Sequence, residues 1–134
     1  MCTILVRAGF QVFAPDMQYF GERTSDTMFT FTEQEKHDKL YNQPSAYLSW
    51  IIQEVKDVGR SIDFLAEERN ADPRRVALAG ISRGGIVAEI IGAVERRFGA
   101  VVLLYGGHFD ALENNHLPAA CPANYIGHIG PRPC

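Results

Sequence analysis

Residues 76–86 read Val76-Ala77-Leu78-Ala79-Gly80-Ile81-Ser82-Arg83-Gly84-Gly85-Ile86, and the order of chemistry in this stretch decides the fold. Arg75 to Gly80 is β-branched and apolar, the composition of a buried strand. From Arg83 to Phe98, Ile86, Val87, Ile90, Ile91 and Val94 recur at helical spacing. Gly99 closes that helix, and Ala100 to Tyr105 (AVVLLY) is a second buried strand. Between the first strand and the helix sits Gly80-x-Ser82-x-Gly84. A serine at a sharp strand-to-helix turn is held in strained backbone geometry with its hydroxyl raised above the sheet's C-terminal edge. Glycines at its flanks avoid collisions with the neighbouring strand and helix. The helix N-terminus adds main-chain donors, and the Arg83 N–H can point at a developing oxyanion. Two other readings compete: Ser82 as a simple helix N-cap, and a dinucleotide-binding turn, which wants a third glycine where Ile86 stands.

Outward from this segment, helix and strand continue to alternate. Cys2 to Ala8 reads as the end of a helix stopped by Gly9, where a positive φ is wanted. Phe10 to Ala14 (FQVFA) reads as a short strand and residues 16–31 as a loop. Thr32-Glu33-Gln34-Glu35 is a capping box opening a polar helix to about Tyr41. Ser45 to Arg69 is the longest helix, with Tyr47, Ile51, Val55, Val58, Ile62 and Leu65 on one face. Trp50 and Phe64 read as core with Tyr47. The expectation is one domain over residues 1–134, of α/β class: a three-layer αβα arrangement with helices on both faces of a small, mostly parallel sheet. Residues 117–134 hold four of the seven prolines and read as a loop or tail.

Composition narrows the function. At 134 residues, 46% hydrophobic, the chain can bury a core without staples. Its apolar runs are far shorter than the ~20 residues of a membrane span. A net charge of −3 gives no general attraction to nucleic acid or anionic lipid. Three scattered cysteines (Cys2, Cys121, Cys134) form no zinc-ligand spacing and no disulfide framework, so a reducing cytoplasm is expected and no metal or organic cofactor.

Three segments resemble the α/β-hydrolase superfamily. FQVFAPDMQYFGER is similar to its strand and loop carrying Ala-Pro-Asp, VALAGISRGGIVAEI to its nucleophile elbow, and AVVLLYGG to the strand that follows. The likeness is nearest to dienelactone hydrolase-like and acyl-esterase-like members and covers roughly residues 4–110. It implies a partial α/β-hydrolase fold, Ser82 as nucleophile and the Arg83 N–H as half of an oxyanion hole. Serine in place of cysteine implies hydrolysis of small carboxylic esters rather than dienelactone chemistry, and activity is expected to be weak for want of a second oxyanion donor and a family-type acid and histidine. By the same resemblance, strands before residue 10 and the acid and histidine after later strands are missing, so the chain reads as the middle of a hydrolase. His108, Asp110 and His116 are the candidates to complete a triad; His37 reads as surface and Asp16 as a turn carboxylate. The missing strands imply uncovered apolar surface, and a homodimer or higher oligomer is expected. Against the esterase stands a catalytically incompetent hydrolase-fold module with a structural or binding role.

Overall fold

The computed structural model describes residues 1–25, 30–106 and 117–133. Its centre is a parallel pair, β1 (Ala77–Ile81) and β2 (Ala100–Leu104), joined by helix α4 (Arg83–Val94). The register runs from Ala77 opposite Ala100 to Ile81 opposite Leu104. A strand–helix–strand crossover lays its helix across one face of the strand pair, and α4 packs on both strands. Gly92 brings α4 close to β2: a Cβ there would stand 2.9 Å from a Val101 methyl.

The long helix α3 (Pro44–Arg69) packs on α4. Proline at its first position and Asn70 in the left-handed conformation at its end explain both limits. Tyr47, Trp50, Ile51 and Ile62 of α3 bury against Val87, Ile90 and Ile91 of α4 in the main core, whereas Phe64 is exposed. The capping box forms as expected: the Thr32 hydroxyl accepts from Glu35 N, and the Glu35 carboxylate accepts from Thr32 N at 2.9 Å. It opens the short helix α2 (Glu33–Lys36), which widens into a π-turn over His37–Tyr41. Helix α1 (Cys2–Arg7) ends at Gly9, whose φ of 91° is the left-handed stop anticipated there.

Three expectations need correction. Residues 10–14 form no strand, and Phe10 is 64% exposed. An extended segment becomes a strand only when a neighbour takes its hydrogen bonds, and among the described residues none lies beside it. The three-layer arrangement is also not found there. Leu78, Gly80, Val101 and Leu103 face the helices, while Ala77, Ala79, Ile81, Val102 and Leu104 alternate with them, and all but the covered set are exposed. One crossover covers one face, so the described residues make a two-layer α/β unit. Finally, α4 stops at Val94 rather than Phe98.

Residues 117–133 make three short 3-10 turns that bury Ala120, Pro122 and Ile129. Ile129 packs with Ala93 and Val101. Pro133 O accepts from Val101 N at 3.1 Å on the outer edge of β2. The Arg132 guanidinium donates to the carbonyls of Glu95 (3.0 Å) and Gly92, the last turn of α4, where a cation also suits the helix dipole. The clamp takes up carbonyls that the end of the helix leaves without a partner of its own.

Candidate functional site

Ser82 links β1 to α4 with φ 53° and ψ −122°, a region that side-chain-bearing residues rarely occupy. Such a conformation costs on the order of 1–3 kcal/mol and persists only where the surroundings impose it. The surroundings here are hydrogen bonds on both sides. Ser82 N donates to Leu104 O at 2.8 Å, completing the ladder to β2, and Ser82 O accepts from Ile86 N at 3.1 Å, starting the helix. The serine side chain is exposed and makes no capping hydrogen bond, so the N-cap reading of Ser82 fails.

The glycines divide. At Gly80 a Cβ would collide with the Gly84 carbonyl and approach the Ala88 Cβ to 2.8 Å, so only glycine lets the strand pass under the helix. At Gly85 a Cβ would stand 3.0 Å from Gly106 and from Leu104 O, which seats the first turn of α4 on the end of β2. At Gly84 a Cβ would meet nothing within 4 Å, so the expected steric need does not hold there.

Arg83 opens the helix, and its N–H belongs to the first turn, whose donors have no intrahelical acceptor. The arrangement sets an exposed hydroxyl beside main-chain donors at a helix N-terminus, the pairing that acyl transfer uses. His108, Asp110 and His116 lie outside the described residues. His37 is half-buried and meets Tyr41 edge-on, rather than lying on the surface. Asp16 is the turn carboxylate expected, accepting from Glu22 N at 2.9 Å. Arg23 pairs with Asp57 at 2.7 Å.

One residue escaped the sequence reading. The register that sets Ile81 opposite Leu104 brings Tyr105 level with Ser82. Tyr105 also has a positive φ, 53°, and its side chain is 89% exposed. A bulky residue with this φ is an outlier, and two such outliers therefore stand side by side at one sheet edge. The only signal was position, directly before Gly106-Gly107. A cleft of 290 Å³ lined by Phe13, Asp16, Arg23, Asp57, Arg60 and Phe64 does not include Ser82. Nearby, Glu54 is buried, and loss of hydration holds its carboxyl above the usual range while Gln18 N donates to it at 2.8 Å. That bond ties the loop of residues 16–20 to α3. Among the described residues no group of three His, Cys, Asp or Glu side chains could hold a metal.

The family model of the dienelactone hydrolases matches residues 1–128, spanning loop, elbow and both strands. The chain belongs to the dienelactone hydrolase family. No curated protein and no solved structure matches it. Membership places this chain in a hydrolase family of the α/β-hydrolase superfamily, which accounts for the crossover and for the elbow at its apex. Among the described residues of this dienelactone hydrolase family member, no helix is long and apolar enough to cross a membrane.

Proposed function

We propose that the chain is a serine hydrolase that cleaves small carboxylic esters through an acyl-enzyme on Ser82. Ser82 Oγ attacks the carbonyl carbon and its proton passes to a histidine, with His108 and His116 the candidates and Asp110 the candidate acid. The carbonyl oxygen takes up the electron pair and is held by the Arg83 N–H. Collapse of the tetrahedral intermediate expels the alcohol, which leaves with that proton, and water then releases the acid by the same route. The observation that carries this reading is the Ser82 backbone, φ 53° with an exposed hydroxyl that caps nothing. A serine held this way at such a cost is better explained by chemistry than by turn formation.

A fluorophosphonate probe tests it. Wild type is expected to be labelled at Ser82, and Ser82→Ala to lose both labelling and p-nitrophenyl acetate hydrolysis, a loss of ~10³–10⁶ in rate. An unlabelled wild type, beside a labelled control hydrolase, would leave the alternative of a non-catalytic binding module.

The uncovered sheet face, with Ile81, Val102 and Leu104 exposed, supports self-association as a homodimer or higher oligomer. Light scattering at micromolar concentration is expected to give at least twice the 14.9 kDa chain mass; a monodisperse monomer would refute it. The free thiols of Cys2 and Cys121 fit a reducing compartment such as the cytoplasm.

A further inference from the structure

The first turn of α4 has little of its own to hold it. Ser82 provides no side-chain cap, and Gly84 and Gly85 follow Arg83 directly. Paired glycines raise the entropy that a helical turn must lose, and Gly84 has no side chain to add to the contact its backbone makes with Gly80. Yet the oxyanion donor proposed above lies in this turn, and such a donor works only if its direction is fixed before reaction.

The Arg83 side chain supplies an anchor. Its guanidinium carbon lies 3.6 Å from the centroid of the Tyr41 ring, well inside the ~6 Å range of a cation–π contact. Tyr41 is 2% exposed, so the contact is screened from water on the ring side. The ring itself is fixed. His37 meets it edge-on at 5.1 Å and Trp50 packs at 5.9 Å. Trp50 in turn contacts Tyr47 and Phe20 and donates to Gln18 O at 3.2 Å. The π-turn, closed by Asn42 N donating to His37 O at 2.8 Å, delivers Tyr41 to this place. π-turns are uncommon and are found frequently at functional sites.

We propose that Arg83 is a positioning residue whose guanidinium, stacked on Tyr41, locks the first turn of α4 and so aims its own N–H at the oxyanion. This rests on the reading of Ser82 as nucleophile. The side chain and the N–H of one residue then have separate tasks. The side chain grips the aromatic platform of residues 37–50, and the N–H faces the reacting carbonyl.

The test is the rate of fluorophosphonate labelling of the full chain, resolved into a binding constant and a maximal rate. Arg83→Met and Tyr41→Leu are each expected to lower the maximal rate about tenfold with binding unchanged, since the donor is misdirected rather than removed. The double variant should be no slower than either single one, because both remove the same contact. Arg83→Lys, which keeps a cation, should recover part of the rate. Tyr41→Phe should keep it, since the ring face remains. If Tyr41→Leu does not unfold cooperatively, fluorination of a phenylalanine at position 41 replaces it; the rate should then fall as the ring loses its negative face.

An unlabelled wild type would overturn both this inference and the Ser82 reading. A labelled wild type with Arg83→Met equally fast would overturn this inference alone. A slow Arg83→Met beside a fast Tyr41→Leu would overturn it too, showing that the charge acts without the stack.

Discussion

Residues 77–106 and residues 1–14 are both apolar and both resemble pieces of one fold, yet they fare differently. The first stretch closes on itself. β1 finds β2, α4 covers the pair, and Val87, Ile90 and Val101 are buried. In the second, α1 buries no residue and Ile4, Val6, Phe10 and Phe13 stand exposed, though Phe13 meets the Phe64 ring at 5.7 Å. Hydrophobicity alone does not make a strand. A strand–helix–strand unit carries its own partner within some thirty residues, whereas an isolated apolar segment depends on strands elsewhere.

The contrast can be broken from either side. The largest effect is expected at Gly80, where any Cβ meets the Gly84 backbone. Gly80→Ala should cost about 3 kcal/mol or more by denaturant unfolding, because backbone atoms cannot swing aside as a side chain does. A loss below about 1 kcal/mol would mean that the elbow yields easily. Next comes Arg132→Ala, which strips the clamp from the Gly92 and Glu95 carbonyls. About 2 kcal/mol is expected for charge-assisted bonds to partly buried carbonyls, with faster amide exchange near the end of α4. Unchanged exchange there would show that the clamp is dispensable. Smallest is Phe10→Ser, expected to stay within about 0.5 kcal/mol, as surface changes do. A larger loss would mean that residues 10–14 are packed in solution, and the contrast would collapse.

What could be read in the sequence was whatever local chemistry specifies. The strand–helix–strand unit was legible because AVVLLY and the stripe from Ile86 to Val94 each carry a period of their own. The capping box at Thr32 and the stop at Gly9 were legible for the same reason, as was the sharp strand-to-helix turn at Ser82. What depends on distant partners was not. FQVFA has strand composition but no neighbouring strand among the described residues. Arg132 gave no hint that it would cap a helix some forty residues earlier in the chain, because two main-chain carbonyls have no sequence signature. The stack of Arg83 on Tyr41 likewise needs the π-turn and Trp50 in place. Tyr105 was hidden because a positive φ at a tyrosine is imposed by the strand ends around it and not by the residue.

The hydrogen bond from Val101 N to Pro133 O has a consequence for growth. A parallel pair of strands has two outer edges, and each can recruit another chain. On the β2 side the segment Pro131-Arg132-Pro133 lies across the edge, and its prolines have no N–H to offer a newcomer. On the β1 side Ala77, Ala79 and Ile81 turn their backbone groups outward, since Val76 and Ser82 direct theirs to the β2 side. Among the described residues the β1 side is therefore the more open to addition. Two chains meeting through that side would each cover the other's open β1 edge. A proline-bearing segment laid along a strand in this way makes that edge a poor template for a ribbon.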